Sequence, residues 1–265
     1  MPLNEPAVAA RDLVLAYDSV VAVERSSFTI PKGSITAVIG PNGSGKSTLL
    51  SAIAGLVRPL NGALDVAAGE GRIAYVLQTT KVNEALPISV QEVVTMGRYA
   101  HAGWYRRLGA DDRAVVGRAM DRMSITRLAA RQLHRLSGGQ RQRAYVAQGL
   151  AQDHDILLLD EPMSGIDITA ARAIDEVIHE EAASGNAVIM TTHDLSEARV
   201  ADHVLLLAGR VVASGPPVDV LTAENLTVAY GPALLHVQQG RVFIDDDAHR
   251  PVEGRHSHRP PSAEG

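Results

Sequence analysis

The chain has 265 residues, 46% of them apolar, enough to bury one large core or two modest ones. A formal net charge of −5, with Lys32, Lys46 and Lys81 the only lysines, excludes a general nucleic-acid binder, because affinity for a phosphate backbone grows from many clustered Lys and Arg. Cysteine is absent, which excludes a disulfide framework and a thiolate metal site and suits a reducing cytosolic compartment.

The amino terminus carries no basic region followed by a long apolar run, so no secretory signal is expected. Apolar stretches such as Val204 to Ala208 fall far short of the roughly 20 residues of a membrane helix. Any membrane role is therefore expected to come through a partner.

In chain order, Ala7–Tyr17 and Arg25–Ile30 alternate apolar with polar residues and predict a small antiparallel sheet. Four short apolar runs, Ile35–Ile39, Ile156–Leu159, Ala187–Met190 and Val204–Leu207, predict strands buried on both faces of a mostly parallel sheet. Between them lie helical patterns at Lys46–Ala54, Gly139–Ala151 and Asp167–Ala183, the last with Ala171, Ile174 and Ile178 at helical spacing. This alternation predicts an α/β layered domain over residues 1–245. Strand signals vanish from about Gln78 to Leu136, which predicts a helical insertion at about 79–136. Residues 246–265 are rich in Pro, His and charge without apolar periodicity and predict a disordered tail.

Directly after the first buried run stands Gly40-Pro41-Asn42-Gly43-Ser44-Gly45-Lys46-Ser47-Thr48, a phosphate-loop pattern with a predicted strand before it and a helix after it. Glycines let the backbone curl so that successive N–H groups face one anion, and the helix N-terminus adds positive potential. Lys46 is then placed to reach the β- and γ-phosphates of a nucleotide, and Ser47 to ligate Mg²⁺.

A second strand ends in Asp160-Glu161-Pro162, two carboxylates at the edge where open α/β folds bind ligands. Asp160 suits a residue holding Mg²⁺ through its water shell, and Glu161 a group that orients and polarises attacking water. A third strand ends in Thr191-Thr192-His193-Asp194, where His193 could donate to a γ-phosphate oxygen or simply be a satisfied surface residue. Ser137-Gly138-Gly139-Gln140 opens a helix and reads either as a second anion site or as a plain N-cap.

Taken together, these motifs resemble the ATP-binding subunits of ABC transporters over roughly residues 7 to 237. The resemblance implies a P-loop NTPase fold and ATP with Mg²⁺ as ligands. It matches Gly40–Thr48 to Walker A, Asp160 and Glu161 to Walker B with its catalytic glutamate, and Ser137–Gln140 to the signature. Gln78 matches the Q-loop glutamine that contacts the metal, Asp167 the D-loop aspartate and His193 the switch histidine. Tyr17 matches the aromatic that stacks on adenine, with sheet packing as the alternative. Ser164-Gly165-Ile166-Asp167 departs from the commoner Ser-Ala-Leu-Asp while keeping the aspartate. The resemblance further implies a homodimer in which each signature faces the other chain's nucleotide, a transmembrane permease, an extracytoplasmic substrate-binding protein, and a place on the cytoplasmic face of the membrane.

Met96-Gly97-Arg98-Tyr99 and Gly103-Trp104-Tyr105-Arg106-Arg107 resemble the ATPases of zinc and manganese importers, with iron-chelate importers and exporters as alternatives. Aromatic and Arg enrichment suits a protein interface, or else the core of a small helical unit. A soluble ABC-type ATPase acting on ribosomes or DNA fits less well, since neither a second such domain nor a long coiled-coil pattern is present. His249, His256 and His258 in the tail have zinc-binding chemistry, and no site is assigned to them.

Overall fold

A computed structural model of the chain describes residues 5–17, 20–78, 87–102, 107–231, 235–238 and 241–244. The predicted tail with its three histidines, and Trp104, Tyr105 and Arg106, lie outside them. Strands β1 (Val8–Tyr17) and β2 (Val20–Ile30) pair antiparallel, with Val8 opposite Ile30 and Tyr17 opposite Val20. After β3 (Ile35–Ile39) and helix α1 (Lys46–Ile53), β4 (Asn61–Val66) joins the other edge of β1, giving an antiparallel sheet of order β2-β1-β4. Next come β5 (Ile73–Val76), helices α2 (Val90–Ala102) and α3 (Ala110–Arg122), two 3₁₀ turns, and α4 (Gly138–Ala151). The chain continues through β6 (Ile156–Leu159), α5 (Ile168–Ala183), β7 (Ala187–Thr192), α6 (Leu195–Val200), β8 (His203–Leu207) and β9 (Val211–Gly215). Two short helices, α7 (Pro217–Val220) and α8 (Ala223–Tyr230), precede a hairpin of β10 (Leu235–Gln238) and β11 (Arg241–Ile244).

The second sheet has six strands in the order β5-β6-β7-β3-β8-β9, parallel throughout except where β9 runs back along β8. Its apolar runs are continuous because both faces are covered. Side chains alternate across a strand, so Ile35, Ala37 and Ile39 enter a core shared with α2 to α5. Val38, from the same strand, enters a second core beneath α1 and the antiparallel sheet. Leu157 and Leu159 split from Ile156 and Leu158 in the same way.

The four buried strands occupy the predicted positions, and β7 runs on to Thr192. Strands β4, β5 and β9 and the β10–β11 hairpin were not among the expectations. β5 and β9 are the edges of the larger sheet and β4 an edge of the smaller, so β4 and β9 carry half-buried, mixed sequences without a strong apolar signature.

Arg98 corrects the expectation of an interface arginine. Its side chain is only 8% exposed, and it donates to Asp112 Oδ1 at 3.1 Å, to the Ala151 carbonyl at 2.9 Å and to Asp153 Oδ1 at 3.0 Å. It ties α2 to α3 and to the end of α4, a use that suits the fixed fork of a guanidinium. Its neighbours Met96 and Tyr99 point outward, Tyr99 half exposed.

A second buried cluster joins α3 to α5. Arg122 donates to Glu180 Oε2 through Nε and Nη2, at 3.0 and 2.8 Å, and to Glu181 Oε1 through Nη1 at 2.6 Å. His154 Nδ1 lies 2.7 Å from the Gln152 carbonyl and Nε2 lies 3.0 Å from Glu181 Oε2. Both ring nitrogens thus face oxygen partners. Burial by itself would raise the Glu181 pKa, but hydrogen bonds from His154, Arg122 and Asn186 outweigh it and hold the carboxyl at about 2. Because the folded value lies below the unfolded one, the stabilisation is complete above the usual carboxylate range and is lost as pH falls through about 4.5 toward 2. Glu181→Gln is therefore expected to lower the melting temperature at neutral pH by about 5 °C, with the gap to wild type closing as the melts are repeated toward about pH 3. A constant gap across that range would remove Glu181 as the acid-labile group.

Candidate functional site

The carboxyl ends of β6, β7 and β3 lie side by side at the middle of the sheet, where β3 is inserted between β7 and β8. The phosphate-loop pattern fills the first of these ends. Gly45 has φ 99°, and a Cβ there would meet the Ala22 carbonyl oxygen and Val23 Cγ2 at 2.6 Å, so no other residue fits between the loop and β2. Gly45 is also the N-cap of α1 and supplies no side-chain cap, which leaves the first-turn N–H groups for an external anion. Lys46 folds back over the loop and donates to the Gly40 and Pro41 carbonyls at 2.8 and 3.0 Å. Burial lowers its pKa, against the pull of Glu161 and Asp160. The loop also contains a buried Ser44 hydroxyl with no partner among the described residues.

At the end of β6, register decides the neighbours. Leu159 stands opposite Met190, which brings Asp160 beside Thr191. Thr191 Oγ1 donates to Asp160 Oδ1 at 2.5 Å and accepts the Glu161 N–H at 2.8 Å. Glu161 sits at φ 46°, a conformation that costs a non-glycine residue about 1 to 2 kcal/mol. That twist breaks the strand alternation, which would otherwise send consecutive side chains to opposite faces. Gln78 Nε2 donates to Glu161 Oε2 at 2.8 Å, and His193 Nδ1 lies 3.9 Å from the same oxygen. Gln78, Glu161 and His193 thus converge on one atom. The cleft in front of them is lined by Asn42, Met163 and Thr192 as well.

A family model described as ABC transporter matches residues 23–164. The zinc transport system ATP-binding protein TroB of Treponema pallidum is 38% identical over 231 residues, 85% of this chain and 87% of that protein. The chelated iron transport system membrane protein YfeB of Yersinia pestis is 36% identical over 251 residues, 91% of this chain and 85% of that protein. This chain belongs to the ABC transporter family. Among solved structures, an inward-facing metal-chelate type ABC transporter superposes with a TM-score of 0.77 at 30% identity, covering 90% of this chain and 96% of that one. As a member of the family, the chain is an ATP-binding, ATP-hydrolysing subunit of an ABC transporter.

The signature segment stands apart from the cleft, at the start of α4. Ser137 caps the helix by accepting the Gln140 N–H at 3.3 Å, and Gln140 Oε1 accepts the Ser137 N–H at 3.2 Å. Gly139 is fixed by close approach, since a Cβ would lie 2.7 Å from Asp167 Oδ2 and 2.9 Å from Ala170 Cβ. Asp167, matched in the sequence to the D-loop aspartate, caps α5 by accepting the Thr169 and Ala170 N–H groups at 3.1 and 3.0 Å. Gly138, by contrast, has open space beside it. Tyr17 ends β1 with 64% of its surface exposed, so it is not packed into the sheet.

Thr191 and Glu197 also line the cleft, and the sequence assigned neither of them a role. Thr191 was treated as the end of a strand, although the parallel register between β6 and β7 points to it once the strands are paired. Glu197 sits on the short α6 and gave no signal by itself. Thr191→Val keeps the shape but leaves the buried Asp160 oxygen without its donor. That change is expected to lower ATPase turnover by about tenfold to a hundredfold and stability by about 1 to 3 kcal/mol, read from steady-state kinetics and urea titration. Undiminished turnover would show that Thr191 does not organise the carboxylate pair.

Proposed function

We propose that this subunit powers the import of a divalent transition metal ion, zinc or manganese, through a separate transmembrane permease. The convergence of Lys46, Asp160, Glu161, Gln78 and His193 at four adjacent strand ends carries the hydrolytic part of the reading. Lys46 clamps the β- and γ-phosphates against the loop from Gly40 to Thr48. Glu161 accepts a proton from the attacking water, and His193 donates to the γ-phosphate. The exposed Tyr17 ring stacks on adenine.

Among the described residues no cluster of three or more His, Asp or Glu side chains is placed to hold a metal ion. The Ser47 hydroxyl, the Gln78 amide and the Asp160 carboxylate suit Mg²⁺, which keeps several waters and takes few protein ligands besides phosphate oxygens. Ser47 and Gln78 would hold it directly and Asp160 through water, and the ion would supply charge neutralisation at the phosphates.

Ser137 to Gln140 lie outside the cleft that their chemistry suits, which supports a two-fold dimer in which each signature serves the partner's nucleotide. Met96 and Tyr99, exposed on α2 where Arg98 is buried, form the contact to the permease. Among the described residues no helix is long and apolar enough to cross a membrane. The permease contact holds the subunit at the cytoplasmic face of the membrane. The complete importer includes an extracytoplasmic binding protein. The metal assignment rests on the Met96–Tyr99 stretch and on the zinc system that one relative is named for, while the chelated-iron relative favours the rival reading.

Sharing of sites is tested by mixing two inactive variants, Lys46→Ala and Gly138→Asp. Gly138 is chosen because it has room for a side chain whereas Gly139 does not. Random exchange makes half of the dimers mixed, each with one intact site, so about a quarter of wild-type ATPase activity should return. No recovery of hydrolysis or of ATP occlusion after confirmed exchange would make Ser137 a simple helix cap. The permease contact is tested with Met96→Ala combined with Tyr99→Ala. Metal uptake in cells carrying this variant should fall at least tenfold, while the purified subunit still binds ATP. Uptake at the wild-type rate would move the contact elsewhere, and loss of a substrate other than zinc or manganese would overturn the metal assignment.

A further inference from the structure

Ser26 lies where the two sheets meet, and its side chain serves none of the contacts assigned so far. It is 5% exposed, on β2. The β1–β2 ladder shifts register on both sides of the Leu13–Ser26 pair, and irregularities of this kind bend a strand and re-aim its side chains. Here the Ser26 hydroxyl reaches out of the smaller sheet. It accepts the Val211 N–H of β9 at 3.0 Å and donates to the Glu24 carbonyl of its own strand at 2.7 Å.

Those bonds close around the turn that joins β8 to β9. The Glu24 N–H donates to the Gly209 carbonyl in that turn at 2.6 Å, and the Gly209 N–H donates to the Ser44 carbonyl of the phosphate loop at 3.2 Å. A continuous path of hydrogen bonds therefore runs from Ser26 through Glu24 and Gly209 to the loop. Beside it the loop touches β2 directly, where Gly45 packs against the Ala22 carbonyl and Val23. Of the hydrogen bonds in this path, only those of Ser26 come from a side chain, so only they can be removed by substitution.

The elements joined here face opposite ends of one ligand. The phosphate loop takes the phosphates, while β1, paired with β2 down to Tyr17 opposite Val20, carries the exposed ring assigned to adenine. Two weak sites on one frame bind a ligand that spans them far better than either alone, provided that their spacing matches it. We propose that Ser26 is a positioning residue for nucleotide binding: it sets the spacing between the strand pair that carries Tyr17 and the loop that holds the phosphates. This rests on the role proposed for Tyr17.

Isothermal titration calorimetry of the full chain with MgATP and with magnesium tripolyphosphate, which has no base, separates spacing from loop shape. Ser26→Ala should weaken MgATP binding about fivefold and leave tripolyphosphate within about twofold. In the steady state, KM for MgATP should rise by a similar factor while kcat stays within about twofold. Ser26→Thr keeps the hydroxyl and should restore the affinity. In a Tyr17→Ala background, where the base end is already lost, Ser26→Ala should add no further loss, and additive losses would overturn the spacing role. Equal weakening of both ligands would reduce Ser26 to a residue that supports the fold of the loop, and unchanged MgATP affinity would remove it altogether. Should Ser26→Ala fail to fold, Ser26→Cys decides, because a thiol is a weak donor and a weak acceptor. It should give the same split between the two ligands, and wild-type affinity for MgATP would overturn the proposal. A Tyr17→Ala chain that binds MgATP as wild type does would overturn the stacking role itself, a different failure from that of Ser26 alone.

Discussion

One hydroxyl, Thr191 Oγ1, donates to Asp160 at 2.5 Å and accepts from the Glu161 backbone at 2.8 Å, so the ends of β6 and β7 share a single chain of bonds. That chain depends on parallel pairing, because a slip of one residue would turn Thr191 to the other face of the sheet. With the register fixed, Asp160 and Glu161 sit beside the phosphate loop at the end of β3, and Lys46 feels both carboxylates. The strained φ of Glu161 is tolerated in the same place, where hydrogen bonds from Thr191 and Gln78 hold its backbone and side chain.

Around this edge the protein divides its polar contacts by purpose. Arg98 with Asp112 and Asp153, and Arg122 with Glu180, Glu181 and His154, each centre on buried groups (Arg98 and Asp112, Glu181 and His154), and they tie the helices between β5 and β6 to one another and to α5. At the nucleotide cleft the partnering is looser. Lys46 leans on its own loop's carbonyls, His193 stops short of Glu161, and Ser44 has no partner among the described residues. Such groups can change partners when a phosphate arrives without breaking the core, whereas the arginine clusters cannot.

The close approach of Gly139 to Asp167 couples the starts of α4 and α5 mechanically within a chain. A glycine at the first turn of α4 lets the capping aspartate of α5 approach closely, and any side chain there would force the two helix starts apart. Movement of α4 must therefore be felt at the D-loop, six residues beyond Glu161.

Sequence by itself determined the parts whose chemistry is local. The strand before Gly40, the glycines around Lys46, the carboxylates closing Ile156–Leu159 and the Ser137 cap are each written within about ten residues, and all four strands read as buried are buried. The same local patterns carried the resemblance to ABC transporter subunits. What tertiary structure alone decided are relations between distant segments. Arg98 and Tyr99 are adjacent and equally suited to an interface, yet one is buried against Asp112 and Asp153 while the other faces outward, because the turn of α2 and the packing of α4 choose between them. Thr191 gained its role from the pairing of β6 with β7, which sets it against Asp160 and Glu161 some 30 residues earlier in the chain. Periodicity reports which face of an element is apolar; only the packed fold reports what that face meets.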